Sequence, residues 1–248
     1  NASGGGEIMT GIDKHPTWLA LARGCGSLTA QATELPYRNP GLPVEQRVAD
    51  LLGRMTLDEK LGQLVMGGRD WVTPAQVGAL HLGTMLSGGD SPPPDPNNLD
   101  GWSAMIQGYQ AAALGTRLGI PLLYGLDAVH GFGALPGATV FPHQVALAAA
   151  GDEDLVRRIG AATARELAAV GLYWNFAPLV AVVNDIRWGR AYESLGENTD
   201  LVTRLALAYT TGYQDLIGKL DGAAGLVSDP WQALESLRGP ALAILRLP

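Results

Sequence analysis

Four short apolar runs punctuate the chain, and each stops at a polar turn that carries glycine. Leu61–Met66 runs into Gly67-Gly-Arg-Asp70, Leu82–Leu86 into Ser87-Gly-Gly-Asp90, and Ile120–Leu126 into Asp127-Ala-Val-His-Gly131. The fourth, Phe176–Val183, precedes Asp185-Ile-Arg-Trp-Gly-Arg-Ala-Tyr-Glu-Ser194, the densest cluster of charge and aromatic rings in the sequence. Runs of this length, bounded by turn residues, predict buried strands. Between them the period lengthens to that of a helix. From Val44 onward, Val48, Leu51, Leu52 and Met55 share one helical face, and Arg47, Asp50 and Arg54 fall mostly off it. Thr56 and Glu59 have capping-box spacing and open a second helix. Further helices are predicted over 102–114, over 152–170 with Gly171 as its C-cap, and over 201–213. Ser91-Pro-Pro-Pro-Asp-Pro96 can only be a loop.

Strands alternating with helices predict an α/β fold with a parallel sheet. Loops that follow parallel strands are where such proteins keep their chemistry, so the polar turns are the candidate site. Residues 1–43, rich in glycine and proline with little periodicity, read as an extended leader. Residues 44–214 carry about four βα units. Residues 215–248 form an atypical tail with one strand or turn at 225–229 and a short helix at 232–237. A closed (β/α)8 barrel takes eight units and about 250 residues of its own, so the pattern predicts only the first half of one.

Composition narrows the functional classes. The chain has 248 residues, 47% hydrophobic and 17% charged, with a net charge of −7 and no basic cluster. That speaks against nucleic-acid binding, which needs a cationic face. No apolar run approaches the ~18 residues of a membrane span. The single cysteine, Cys25, allows no intrachain disulfide and no all-cysteine metal site, and reads as a packing or loop residue. His130 and His143 have no third ligand at suitable spacing, so no metal is expected and both read as packed or hydrogen-bonded histidines. Ser87-Gly-Gly-Asp90 lacks the lysine and spacing of a phosphate loop and reads as a βα turn. The chain starts at Asn1, so any signal peptide is expected to be gone already, and the expected location is periplasmic or secreted.

Several segments carry a family likeness. Arg47–Gln63, with Thr56-Leu-Asp-Glu-Lys60 inside it, resembles the opening helices of the family 3 glycoside hydrolases. Thr116–Gly131 resembles their third strand, and Ala138–His143 and Arg187–Ser194 resemble further family segments. The likeness covers roughly 44–214 with the segments in family order. It implies a TIM-type (β/α)8 barrel that cleaves β-linked glucosides or oligosaccharides from the non-reducing end with retention, and it implies no cofactor. Carried over by position, Asp127, Arg190 and Glu193 are the substrate-binding residues: Asp127 and Arg190 grip the sugar, and Glu193 reads as a partner of an arginine more than as a direct ligand. The family's Lys-His-Phe segment, due after the helix that ends near Tyr213, is absent, and so is the later region with the general acid. Gly225-Leu-Val-Ser-Asp-Pro-Trp231 resembles the nucleophile segment only superficially. It comes too early and Pro230 interrupts it, so Asp229 reads as a turn acid.

These residue types suit a sugar. Hydroxyls donate to a carboxylate and accept from an arginine fork, and rings such as Trp188 and Tyr192 cover the apolar pyranose face. Retaining hydrolysis also needs two carboxyls about 5 Å apart, and this chain offers no identifiable pair. Two functions remain open. One is a β-glucosidase-like hydrolase whose remaining strands come from elsewhere. The other is a non-catalytic half-barrel that binds sugar weakly or pairs with another chain. A barrel for phosphorylated metabolites is disfavoured by the lack of a basic site. Either open function calls for a dimer or a complex with a chain that supplies the rest of the barrel.

Overall fold

The computed structural model describes residues 35–88 and 91–224. Cys25, Asp229, the leader up to residue 34, the turn residues Gly89 and Asp90, and the tail from 225 lie outside the described residues. In chain order the elements are α1 (Val44–Arg54), α2 (Leu57–Gln63), β1 (Met66–Gly68), α3 (Pro74–Leu80), β2 (Thr84–Ser87), α4 (Leu99–Leu114), β3 (Leu123–Leu126), α5 (Gln144–Ala150), α6 (Glu153–Ala168), β4 (Trp174–Asn175) and α7 (Thr199–Ala224). The strands form one parallel sheet in the order β1-β2-β3-β4. This sequential order, with helices in every crossover, is that of a TIM-type barrel wound through its first four strands.

The strands are shorter than the apolar runs, and two are displaced. Leu61–Met66 is not one strand: the Thr56–Glu59 capping box starts a helix that consumes the run to Gln63, and pairing begins only at Met66. Phe176–Val183 is not a strand either. β4 is Trp174–Asn175, and the ladder ends when Phe176 donates its N–H to the Leu126 carbonyl. Asn175 Oδ1 then takes the N–H of Ala177, and Pro178 has no N–H to give. Residues 35–43, assigned above to the leader, hold a 3-10 turn (Pro36–Arg38) whose Tyr37 is buried and donates its hydroxyl to the Leu118 carbonyl. That turn covers Arg47, which is buried with Nε on the Tyr37 carbonyl, whereas Leu52 on the supposed apolar face is 48% exposed. Helix α7 continues past the boundary placed at 214, to Ala224.

Two apolar clusters hold the layers together. The larger packs Met85, Tyr124 and Leu126 of the sheet against Trp102 and Ile106 of α4 and Leu167 of α6. The second joins α5, α6 and α7 through Leu147, Ile159 and Leu205. Helices α6 and α7 approach closely at two glycines. A Cβ on Gly160 would lie 2.2 Å from the Tyr209 carbonyl oxygen, and one on Gly212 would lie 1.9 Å from that of Arg157. Glu59 performs the long-range tie. It closes the capping box on Thr56 and receives Nε and Nη2 of Arg117 at 3.1 and 2.6 Å, and Arg117 Nη2 also donates to the Arg54 carbonyl.

Both the glycine contacts and the Glu59 tie can be tested by stability. In a free helix Gly→Ala gains about 1 kcal/mol. Here the backbone clash reverses the sign, so Gly160→Ala should lose about 1–3 kcal/mol, read as a lower urea midpoint at unchanged slope; a stabilised variant would disprove the close approach. The Arg117 guanidinium and the Thr56 N–H hold the Glu59 carboxyl at about 2, against 4.5 for a free one. A depressed carboxyl stabilises the fold above its unfolded value and loses that contribution as pH falls through its folded value. The stability gap between the native chain and Glu59→Gln should therefore be constant above about pH 5 and shrink from there toward about pH 2. A gap that widens on acidification would contradict the pairing.

Candidate functional site

The site is built where the chain leaves β3 and β4. The Asp127 N–H donates to the Ser87 carbonyl at 3.3 Å, which places the residue one step beyond β3 with its side chain exposed. Ala128 is fully packed and donates its N–H to Asn175 Oδ1 at 3.1 Å. Asn175 Nδ2 reaches the Tyr209 hydroxyl at 3.2 Å, so one carboxamide fixes the ends of β3 and β4 to each other and to α7. The loop after β4 returns to the body at Ser194, which is fully buried. Its hydroxyl donates to the Ala181 carbonyl, and Leu179 and Ser194 form a parallel bridge. Residues 184–190 are all exposed.

Arg190 precedes a 3-10 turn, Ala191–Glu193, and grips the acid at its end. Nε donates to Oε1 at 2.8 Å and Nη2 to Oε2 at 2.6 Å, a bidentate fork. The guanidinium is largely exposed and the carboxylate is nearly covered, with side-chain exposures of 61% and 12%. The Arg190 hydrogen bonds hold the Glu193 carboxyl below its usual range, helped by the charge of Arg190, a hydrogen bond from Tyr192 and the charge of His130. Asp127 moves the other way. Desolvation raises its carboxyl; the positive charge of Arg190 opposes the rise and the negative charge of Glu193 adds to it. Asp127 thus keeps an exposed face and still feels both members of the ion pair.

Three rings lie beside this pair. His130 Nδ1 sits 3.0 Å from the Phe141 carbonyl. Its ring meets His143 edge-on at a centroid distance of 4.2 Å, and His143 meets Tyr192 in the same way at 4.8 Å. Trp188 and Tyr192 are 40% and 48% exposed, rings available to a ligand. Among the described residues, no group of three or more His, Cys, Asp or Glu side chains could hold a metal ion.

The sequence placed Arg190 directly after a buried strand. It lies instead in a long loop, since β4 ends at Asn175. Even so, Asp127, Arg190 and Glu193 act electrostatically on one another. Sequence reasoning missed Asn175, whose one available signal is a lone polar residue between Trp174 and Phe176. It also missed the row of three rings.

Residues 56–225 match the Glycosyl hydrolase family 3 N terminal domain. Beta-glucosidase C of Emericella nidulans is 33% identical over 224 residues, which cover 79% of this chain and 35% of that protein. A periplasmic beta-glucosidase/beta-xylosidase of Dickeya chrysanthemi is 33% identical over 205 residues, 73% of this chain and 30% of that one. Among solved structures, the exo-1,3/1,4-beta-glucanase of a Pseudoalteromonas species superimposes with a TM-score of 0.64 at 41% identity, covering 68% of this chain and 22% of that one. The chain therefore spans about a third or less of the length of these relatives. A parallel four-stranded half-barrel, the family segments in order and the matched residues agree: the chain belongs to family 3 of the glycoside hydrolases, and what it carries is that family's N-terminal domain.

Proposed function

We propose that this chain is the sugar-gripping half of a glycoside hydrolase that acts on β-linked glucosides or oligosaccharides from the non-reducing end, with retention. The observation that carries the proposal is the exposed Asp127 one step beyond β3 together with the bidentate Arg190–Glu193 fork in the loop that follows β4. Glu193 takes Nε and Nη2 of the guanidinium and leaves Nη1 to donate to a sugar hydroxyl. Asp127 accepts from a neighbouring hydroxyl, and Trp188 or Tyr192 covers the ring's apolar face. Glu193 orients the arginine and does not itself bind the sugar. The names of the relatives, beta-glucosidase and exo-1,3/1,4-beta-glucanase, support the substrate class, and the periplasmic ones support a location outside the cytoplasm. No cofactor enters the reaction.

The nucleophile and the acid/base, a pair about 5 Å apart in a retaining enzyme, come from the polypeptide that completes the barrel. Among the described residues β1 and β4 each pair on one side only, which leaves an edge for that polypeptide. Beside β1, Leu57, Leu61 and Leu64 line one side of α2 at helical spacing and are 70%, 53% and 84% exposed, with Val65 and Met66 next to them. The proposed occupant is the set of strands and helices that closes the barrel. Without it, the same edge pairs with further copies of the chain.

The chain alone should therefore hydrolyse an aryl β-glucoside no faster than buffer and still bind methyl β-glucoside weakly in an NMR titration. Asp127→Ala and Arg190→Ala should each weaken that binding about 10- to 100-fold, as expected for loss of a charged hydrogen-bond partner. Turnover well above buffer, or binding that ignores both substitutions, would refute the assignment. Light scattering should show self-association that falls when Leu61 and Leu64 are both replaced by serine. A monodisperse monomer at every dilution would remove the case for an open edge.

A further inference from the structure

The three rings form a row that bridges two loops. One end is pinned. A carbonyl only accepts, so His130 Nδ1 carries the hydrogen it shares with Phe141, and Phe141 returns its own N–H to the His130 carbonyl at 2.9 Å. His130 lies three residues after Asp127. At the other end Tyr192 lies two residues after Arg190 and directly before Glu193, inside the 3-10 turn that follows Arg190. His143 stands between them, edge-on to both rings, at interplanar angles of 69° and 74°. It occupies the N-cap position of α5 and makes no capping bond with its side chain, so the helix has no use for the imidazole.

The loop that bears Arg190 has few other holds. Residues 184–190 are exposed, and the next anchor is Ser194. We propose that His143 is a positioning residue for the sugar site: its ring spaces Tyr192 from His130 and so sets the separation of the Arg190–Glu193 fork from Asp127. This rests on the assignment of Asp127 and Arg190 as sugar ligands. The ring's shape does the work, because edge-to-face packing holds two rings at a fixed separation, and the imidazole nitrogens are not needed for it.

His143→Phe keeps a ring and removes both nitrogens, whereas His143→Ala removes the wedge. In the whole chain, His143→Ala should bind methyl β-glucoside about tenfold more weakly, and His143→Phe should stay within about twofold of the native chain. Without ligand, the NMR signal of the Arg190 Nε–H, kept from exchange by Glu193, should broaden or vanish in His143→Ala and persist in His143→Phe. Circular dichroism of all three confirms that α5 is intact. If His143→Phe binds as poorly as His143→Ala, an imidazole nitrogen contacts the sugar and the positioning role is wrong. Full affinity in His143→Ala also overturns it. If the native chain binds no methyl β-glucoside, the sugar assignment fails on its own. The Arg190 signal still decides the ring row, which falls if that signal is unchanged in His143→Ala.

Discussion

Everything at the N-terminal end of the sheet depends on Glu59 meeting Arg117. Glu59 belongs to the capping box that starts α2, and Arg117 stands six residues before β3. The pair crosses 58 positions of sequence, and Arg117 Nη2 adds the Arg54 carbonyl at the end of α1. Next to it, the Leu118 carbonyl accepts both the Tyr37 hydroxyl and Arg38 Nη2. Two consecutive residues thus gather the 3-10 turn, α1, α2 and the approach to β3. The Glu59 carboxylate is covered, while its arginine partner stays 56% exposed. Desolvation therefore falls mainly on the acid, which is compensated by the fork and by a backbone N–H. The motif Thr56-Leu-Asp-Glu-Lys60, weak as a recognition signal by itself, acquires a mechanical meaning: its glutamate ties the start of α2 to the segment that leads into β3.

The opposite end is stitched by polar side chains that reach across the chain. Asn175 links β3, β4 and α7, and Ser194 returns the long loop to the residues after β4. The division matches the way barrels separate stability at one face from chemistry at the other. The loops beyond β3 and β4 are anchored by buried apolar residues such as Phe132 and Leu195, while Asp127 and the stretch 184–190 that ends in Arg190 stay exposed. At these exposed positions the side chains are oriented by hydrogen bonds and ring contacts, interactions with direction.

Two helix starts were legible from their caps. Thr56 with Glu59 and Asp152 with the Leu155 N–H start α2 and α6 as capping rules require, and Gly171 follows α6 with a φ of +85°. The seven-residue helices α3 and α5 were not predicted; for α5 no side-chain cap marks the start, but α3 opens with a Thr73–Gln76 capping box and Pro74, a signal of the same kind as that of α2 that went unread. Strands fared worse because short apolar runs do not distinguish a buried strand from a helix turn. Leu61 lies on the exposed side of α2 and Leu64 caps its end, while in the loop 176–183 Val183 is buried, Ala177 and Val182 pack partly on the second cluster and Val180 is exposed. Arg47 shows the limit of periodicity: it faces the 3-10 turn, a neighbour that comes from outside the repeat. Site charges stood out because three acids and arginines cluster within family-like segments. The ring row could not, since positions 130, 143 and 192 meet only in three dimensions.

A half-barrel carries its own argument about how such a site is divided. On the proposed reading, every group that grips the sugar comes from strands β3 and β4 and the loops after them, and every group that breaks the bond comes from strands beyond them. The grip is then assembled on a local scaffold, with the second apolar cluster and Asn175 beneath it, before any barrel closes. Closure adds a second effect. Asp127 is already raised by desolvation while one side still faces water. Covering that side lowers the effective dielectric around both Asp127 and Arg190, so the attraction between them and any hydroxyl network they share grows stronger. The fork to Glu193 occupies Nε and one hydrogen of Nη2 and leaves both hydrogens of Nη1 free. On the proposed reading, Glu193 holds the guanidinium from one edge, and the donors it leaves free are the ones a sugar hydroxyl would meet.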